Sequence, residues 1–166
     1  MKKRGVSLTI WTDEVRHMTS NQYDAHIWLS RMWGEESKID QKVAYRDKLN
    51  SWGIGKYDAE FIPENTGENT SESKYIEYAI LSDEIEKLVN EYMSQNRRTE
   101  TVINQAKEAS QRRILYDWYI NQVKWFDLCK KYGYEKSQLY VHRNRALDAV
   151  YPFIPKDEIL FLKSAE

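Results

Sequence analysis

Between Gly67 and Gly133 the chain contains neither glycine nor proline. Both residues break helix interiors: proline lacks the amide donor and clashes with the preceding turn, and glycine loses the most backbone entropy on ordering. So long an uninterrupted run makes helix the natural state of the segment, and only three prolines and six glycines punctuate all 166 residues. A chain of this length forms one domain, or one domain with an appendage, and buries a core without staples. The expected fold class is all-α, with a long N-terminal helical hairpin followed by a C-terminal helix-turn-helix bundle.

Apolar periodicity divides the chain. Tyr23, Ile27, Met32, Ile39, Val43 and Leu49 recur at helical spacing and predict a helix from about Ser20 to about Trp52, with Ser20 or Asn21 as cap and Gly34 as a point of interruption. Residues 53–73, with Pro63, Gly67 and a polar Asn69-Thr70-Ser71, predict a long mobile loop. Ile76, Ile80, Ile85, Leu88, Val89 and Tyr92, continued by Val102, Ile103 and Ala106, predict a second long helix that pairs with the first. The hairpin and its loop thus occupy 1–106, a C-terminal helical unit 107–155 and a tail 156–166. Trp11 stands apart from these patterns.

The net charge of −1 hides an uneven distribution. Residues 58–91 hold 2 basic and 10 acidic side chains, net −8, while residues 92–150 hold 11 basic and 6 acidic, net +5. Any anionic partner is therefore expected on the C-terminal part, although the acidic stretch is equally well read as a solvated face. The single Cys129 forms no internal disulfide, and His17, His26 and His142 are scattered, so no metal cluster is expected. The basic start Lys2-Lys3-Arg4 is followed by an apolar stretch that stops at Asp13-Glu14, too short for a secretory core, and no window is apolar enough to span a membrane. A reducing compartment is expected. No phosphate loop, nucleophilic triad or metal-ligand spacing is present, so neither an enzyme nor a cofactor is expected.

The last 50 residues carry the functional signal. Ile114, Leu115, Trp118 and Tyr119 mark one helix ending near Asn121; Trp125, Leu128 and Cys129 mark a short second one; Gly133 breaks it; Leu139, His142, Ala146 and Val150 mark a third, which Pro152 ends. A short support helix, a glycine turn and a second helix are the parts of a helix-turn-helix. Trp125, Leu128 and Cys129 are expected to bury the support helix, and Leu139 and Ala146 to pin the second. His142 is expected as a partly buried packing residue.

Gly133 followed by Tyr134-x5-Tyr140-x4-Arg145-Ala146-Leu147 resembles sigma-70 region 4-like modules, and more narrowly the RinA/ArpU type of phage late-gene regulators. The upstream Ile114-Leu115-Tyr116-Asp117-Trp118-Tyr119 resembles the helix that precedes the motif in that family, with Asp117-Trp118 where an Arg is usual. Glu135 stands where Ser is usual, and His142 where an apolar residue is usual. The resemblance covers about 40 residues. It implies a phage- or prophage-encoded regulator in the cytoplasm of the bacterial host, an activator of late packaging and morphogenesis genes that acts on double-stranded promoter DNA, with host RNA polymerase as a further partner; the hairpin 1–106 is expected to serve oligomerisation or partner binding.

The expected DNA-binding residues are Lys136, Ser137, Gln138, Tyr140, Val141, Asn144, Arg145, Arg143, Lys130 and Lys131. Lys136 and Ser137 can hydrogen-bond a base and Val141 can touch a thymine methyl. The forks of Arg143 and Arg145 suit guanine or phosphate, with phosphate favoured for Arg145. Lys130 and Lys131, with Lys124, are either backbone contacts or a solvated face. Two other readings stand beside this one: a small DNA-packaging (terminase) subunit, and a helical protein-interaction module that binds no DNA.

Overall fold

A computed structural model describes residues 17–51 and 71–164. The fold is all-α, and no strand occurs among the described residues. Its helices are α1 (Ser20–Ser30), α2 (Glu35–Leu49), α3 (Ser71–Ile103), α4 (Ala109–Leu115), α5 (Trp125–Tyr132), α6 (Lys136–Val150) and α7 (Lys156–Ser164). Trp11, Trp52 and all but the last three residues of the expected loop 53–73 lie outside the described residues; residues 71–73 open α3.

The helix expected from Ser20 to Trp52 is two helices. Gly34 adopts φ 86°, a left-handed conformation open to glycine at little cost, and it ends the turn that separates α1 from α2. Thr19, rather than Ser20 or Asn21, caps α1: its hydroxyl accepts from the Gln22 amide at 3.3 Å, while the Gln22 side chain accepts from the Thr19 amide at 2.9 Å.

The chain forms two compact units, Met32–Gln95 on one hand and Met1–Arg31 with Asn96–Glu166 on the other. In the first, α2 and the first part of α3 bury Leu49, Leu81 and Ile85, flanked by Val43, Tyr78 and Val89. Lys42 pairs with Glu84 at 2.9 Å and Tyr45 donates to Glu77 at 2.6 Å; the falling partner numbers show the two segments run antiparallel. Ile76 and Ile80, expected in this seam, are exposed. Ile85 and Val89 lie in the seam as expected, joined by Tyr78 and Leu81 in place of Ile76 and Ile80, because these four keep a single three- or four-residue phase that the pair Ile76–Ile80 does not share.

The other unit is built around α6. Leu139, Ala146, Leu147 and Val150 on α6 are fully buried, against Ile114 and Leu115 of α4, Leu128 of α5, and Ala25, Trp28 and Leu29 of α1. Here α1 packs with the C-terminal helices rather than with the hairpin in which the sequence reading put it. It buries Ala25, Trp28 and Leu29, whereas Tyr23 and Ile27 are only half-buried. Residues 156–164, expected as a tail, form α7, which seats Ile159 in the core and packs on α1. Trp28 donates its indole N–H to Glu158 at 2.8 Å, Arg98 pairs with the same carboxylate, and Lys163 pairs with Asp24.

Candidate nucleic-acid interface

Helix α4 does not end at Leu115. It widens into a π-turn over Tyr116–Ile120, in which the Asn121 amide reaches back to the Tyr116 carbonyl at 3.0 Å. This turn places Trp118 and Tyr119 in the core and brings Asp117 under α5. The nearly buried Asp117 carboxylate accepts from Lys131 at 2.6 Å, from the Tyr132 hydroxyl at 2.6 Å and from Asn121 at 3.1 Å. Burial pushes this carboxyl up, but the three donors outweigh burial and hold it below the usual aspartate value. The support helix is thereby tied to the helix before it.

Between α5 and α6 lie three residues. Gly133 takes φ 68°, the left-handed conformation that closes a helix end, and its amide and that of Tyr134 both bond back toward Cys129. Tyr134 stacks on His142 at 4.5 Å between ring centroids and lies parallel to Tyr132, so the turn is braced by an aromatic ladder. His142 is half-buried, as expected of a packing residue. Glu135 caps α6, and its amide donates to the Gln138 side chain at 3.1 Å.

The sequence-derived set divides on this frame. Lys136, Ser137, Gln138, Val141 and Arg145 are exposed, Val141 to 48%. Tyr140 and Asn144 are half-buried at the border of the same face. Gln138 spends its side-chain oxygen on the cap. Lys136 lies over the rings of Trp125 and Tyr140, at 4.8 and 5.7 Å. Lys130 lies over Phe126 at 4.2 Å, and both Lys130 and Lys131 are exposed, although Lys131 is tethered to Asp117.

Arg143 does not belong to the set. It is 0% exposed, with its guanidinium 4.8 Å from the ring of Trp118 and 4.8 Å from that of Tyr140, two rings that themselves lie 5.8 Å apart, so no nucleic acid reaches it. The reason is its phase: Arg143 is four residues after Leu139 and three before Ala146, on the same inward line. Trp125, expected inside, is 38% exposed beside the exposed Phe126, and Leu128 buries α5 almost alone. The sequence reading missed Asp117, Asn121 and Tyr132 as the tether of the support helix; only the departure at Asp117-Trp118 from the usual Arg marked the place.

Residues 65–150, more than half of the chain, match a family described as a protein of unknown function, DUF1492. The chain belongs to the DUF1492 family. No curated protein and no solved structure matches it. The DUF1492 match ends at Val150, the last residue of α6, so it takes in α4, the support helix and α6 but not α1 or α7, both of which complete the core. Among the described residues no helix is long and apolar enough to cross a membrane.

Proposed function

We propose that this DUF1492 protein binds double-stranded DNA by laying α6 in the major groove, and that it activates phage or prophage late genes in the manner of RinA/ArpU-type regulators. The observation that carries this reading is the turn at Gly133. Three residues join α5 to α6, and they leave Lys136, Ser137, Val141 and Arg145 on one exposed face while Leu139, Arg143, Ala146 and Val150 hold the opposite face. A recognition helix needs this division: one face fixed, the other polar, basic and within reach of base edges. The net +5 of residues 92–150 supplies the attraction to phosphate. The late-gene role rests on the sequence resemblance, which also points to the host cytoplasm as the place of action.

The test is fluorescence anisotropy with duplex fragments from the late region of the parent genome, run from low to moderate salt. Affinity is expected to fall steeply as salt rises, because phosphate contacts release bound counterions. Absence of binding to any duplex at low salt would overturn the reading and leave the helical interaction module in its place.

A further inference from the structure

A buried arginine behind a recognition face has a consequence for what that face can read. The Arg143 guanidinium donates to Asn144 Oδ1 from Nε at 3.2 Å and from Nη2 at 3.1 Å. Arginine carries donors only, so the side of the Asn144 amide facing it has to be the oxygen. The nitrogen then faces away, and Nδ2 lies 3.5 Å from the His17 carbonyl, an acceptor, which fits the same orientation. The adjoining rings of Trp118 and Tyr140 both pack against the guanidinium and hold the fork in place. Asn144 itself lies seven residues, two turns, after Ser137, nearly on one line with it along the exposed face of α6.

We infer that Arg143 is a positioning residue that locks the Asn144 amide, so that α6 offers a donor and no acceptor at this point and selects a base edge that presents an acceptor (guanine O6 or N7, adenine N7 or thymine O4) against cytosine, whose major-groove edge offers only a donor. The usual pairing of asparagine with adenine needs the amide oxygen to accept from N6 while the nitrogen donates to N7. Both bonding positions on Oδ1 are taken by Arg143, so adenine cannot be held in that two-bond manner. An amide nitrogen has two N–H groups, and with one turned to the His17 carbonyl the other is left to donate.

This inference rests on the DNA-binding reading, and its test separates the two. In a bound duplex, each base pair is varied in turn against the wild-type protein, Asn144→Ala, Arg143→Lys and the double variant. Asn144→Ala is expected to flatten the preference at one position by about tenfold, and that position discriminates against cytosine on the contacted strand. Arg143→Lys keeps the charge but loses the fork, and should flatten the same position; the double variant should go no further than either single one. Asn144→Asp, which still accepts from Arg143 but cannot donate, should lose the preference while keeping the fold. A preferred cytosine at that position, or additive effects in the double variant, overturns the inference. Without DNA, NOEs from the Asn144 amide protons to the His17–Met18 backbone are expected, and strong cross-peaks to the Arg143 Nε proton instead would show that no lock exists. A wild-type protein that binds no duplex removes the DNA reading and the base selection together, while the NOEs still decide the lock.

Discussion

Asp117 and Arg143 are the two charged side chains most deeply placed near α6, and each is held by named partners rather than by solvent. Asp117 receives Lys131, Tyr132 and Asn121, and in return burial and the carboxylate push the Tyr132 phenol well above its ordinary range. Asp117→Ala leaves the Tyr132 hydroxyl and the tether of α5 without their acceptor, and should cost about 2 kcal/mol in urea unfolding. Arg143 and Arg145 look alike as letters two positions apart. On a helix two positions are some 200°, so one is sealed in the core and the other lies in solvent. The sequence contained that distinction in the spacing of Leu139 and Ala146, and residue type overrode it in the reading. Arg145→Ala should therefore weaken binding to every duplex alike and lower the salt slope by about one, measured as log affinity against log salt. Lys131→Ala should move that slope less, since its ammonium is already engaged by Asp117.

Among the elements, α5, α6 and the glycine between them were legible, because a helix stop and two apolar phases leave strong local marks. At Gly133 an added Cβ meets no atom within 4 Å, so substitution there tests backbone conformation alone. Gly133→Ala should cost about 1 kcal/mol and Gly133→Asn less, since asparagine tolerates the left-handed region better than alanine; chemical denaturation of both variants checks the order. The seam of α3 is legible only in part: Ile85 and Val89 lie on it as their spacing predicts, but the apolar residues of α3 cover more than one phase, and only the partner α2 decides that Ile76 and Ile80 stay outside. The same holds for α1. Its buried residues include Gln22 and His26, and no polarity pattern singles these out as inward. The exposed Trp125 has a similar origin, because a tryptophan at the start of a short helix counts as core in any pattern until the neighbouring helix fails to cover it.

At the scale of the molecule, the core that backs α6 is closed by α1, and that closure carries a pH dependence. His26 is buried with Nδ1 2.8 Å from the Tyr119 hydroxyl; burial first, and the nearby Arg143 charge second, push its pKa down to about 4. The folded protein therefore resists protonating His26 while the unfolded chain protonates it near 6.5. Its contribution to stability is present above pH 6.5 and lost as pH falls from there toward 4. Between pH 7 and pH 5 this amounts to about 2 kcal/mol, and His26→Gln should remove most of that difference in parallel denaturation curves. If wild type and variant lose stability equally over this range, His26 is not the titrating group. The closure also reaches far along the sequence: Gln22 bonds Asp148 at 2.7 Å across 126 positions, and Trp28 bonds Glu158 across 130. On the ribosome, at roughly 5–20 residues per second, α1 emerges early and then waits several seconds or longer for the residues that cover it. Throughout that interval Trp28 and Leu29 are bare apolar surface, a natural hold for a chaperone, until α6 and after it α7 leave the ribosome and cover them.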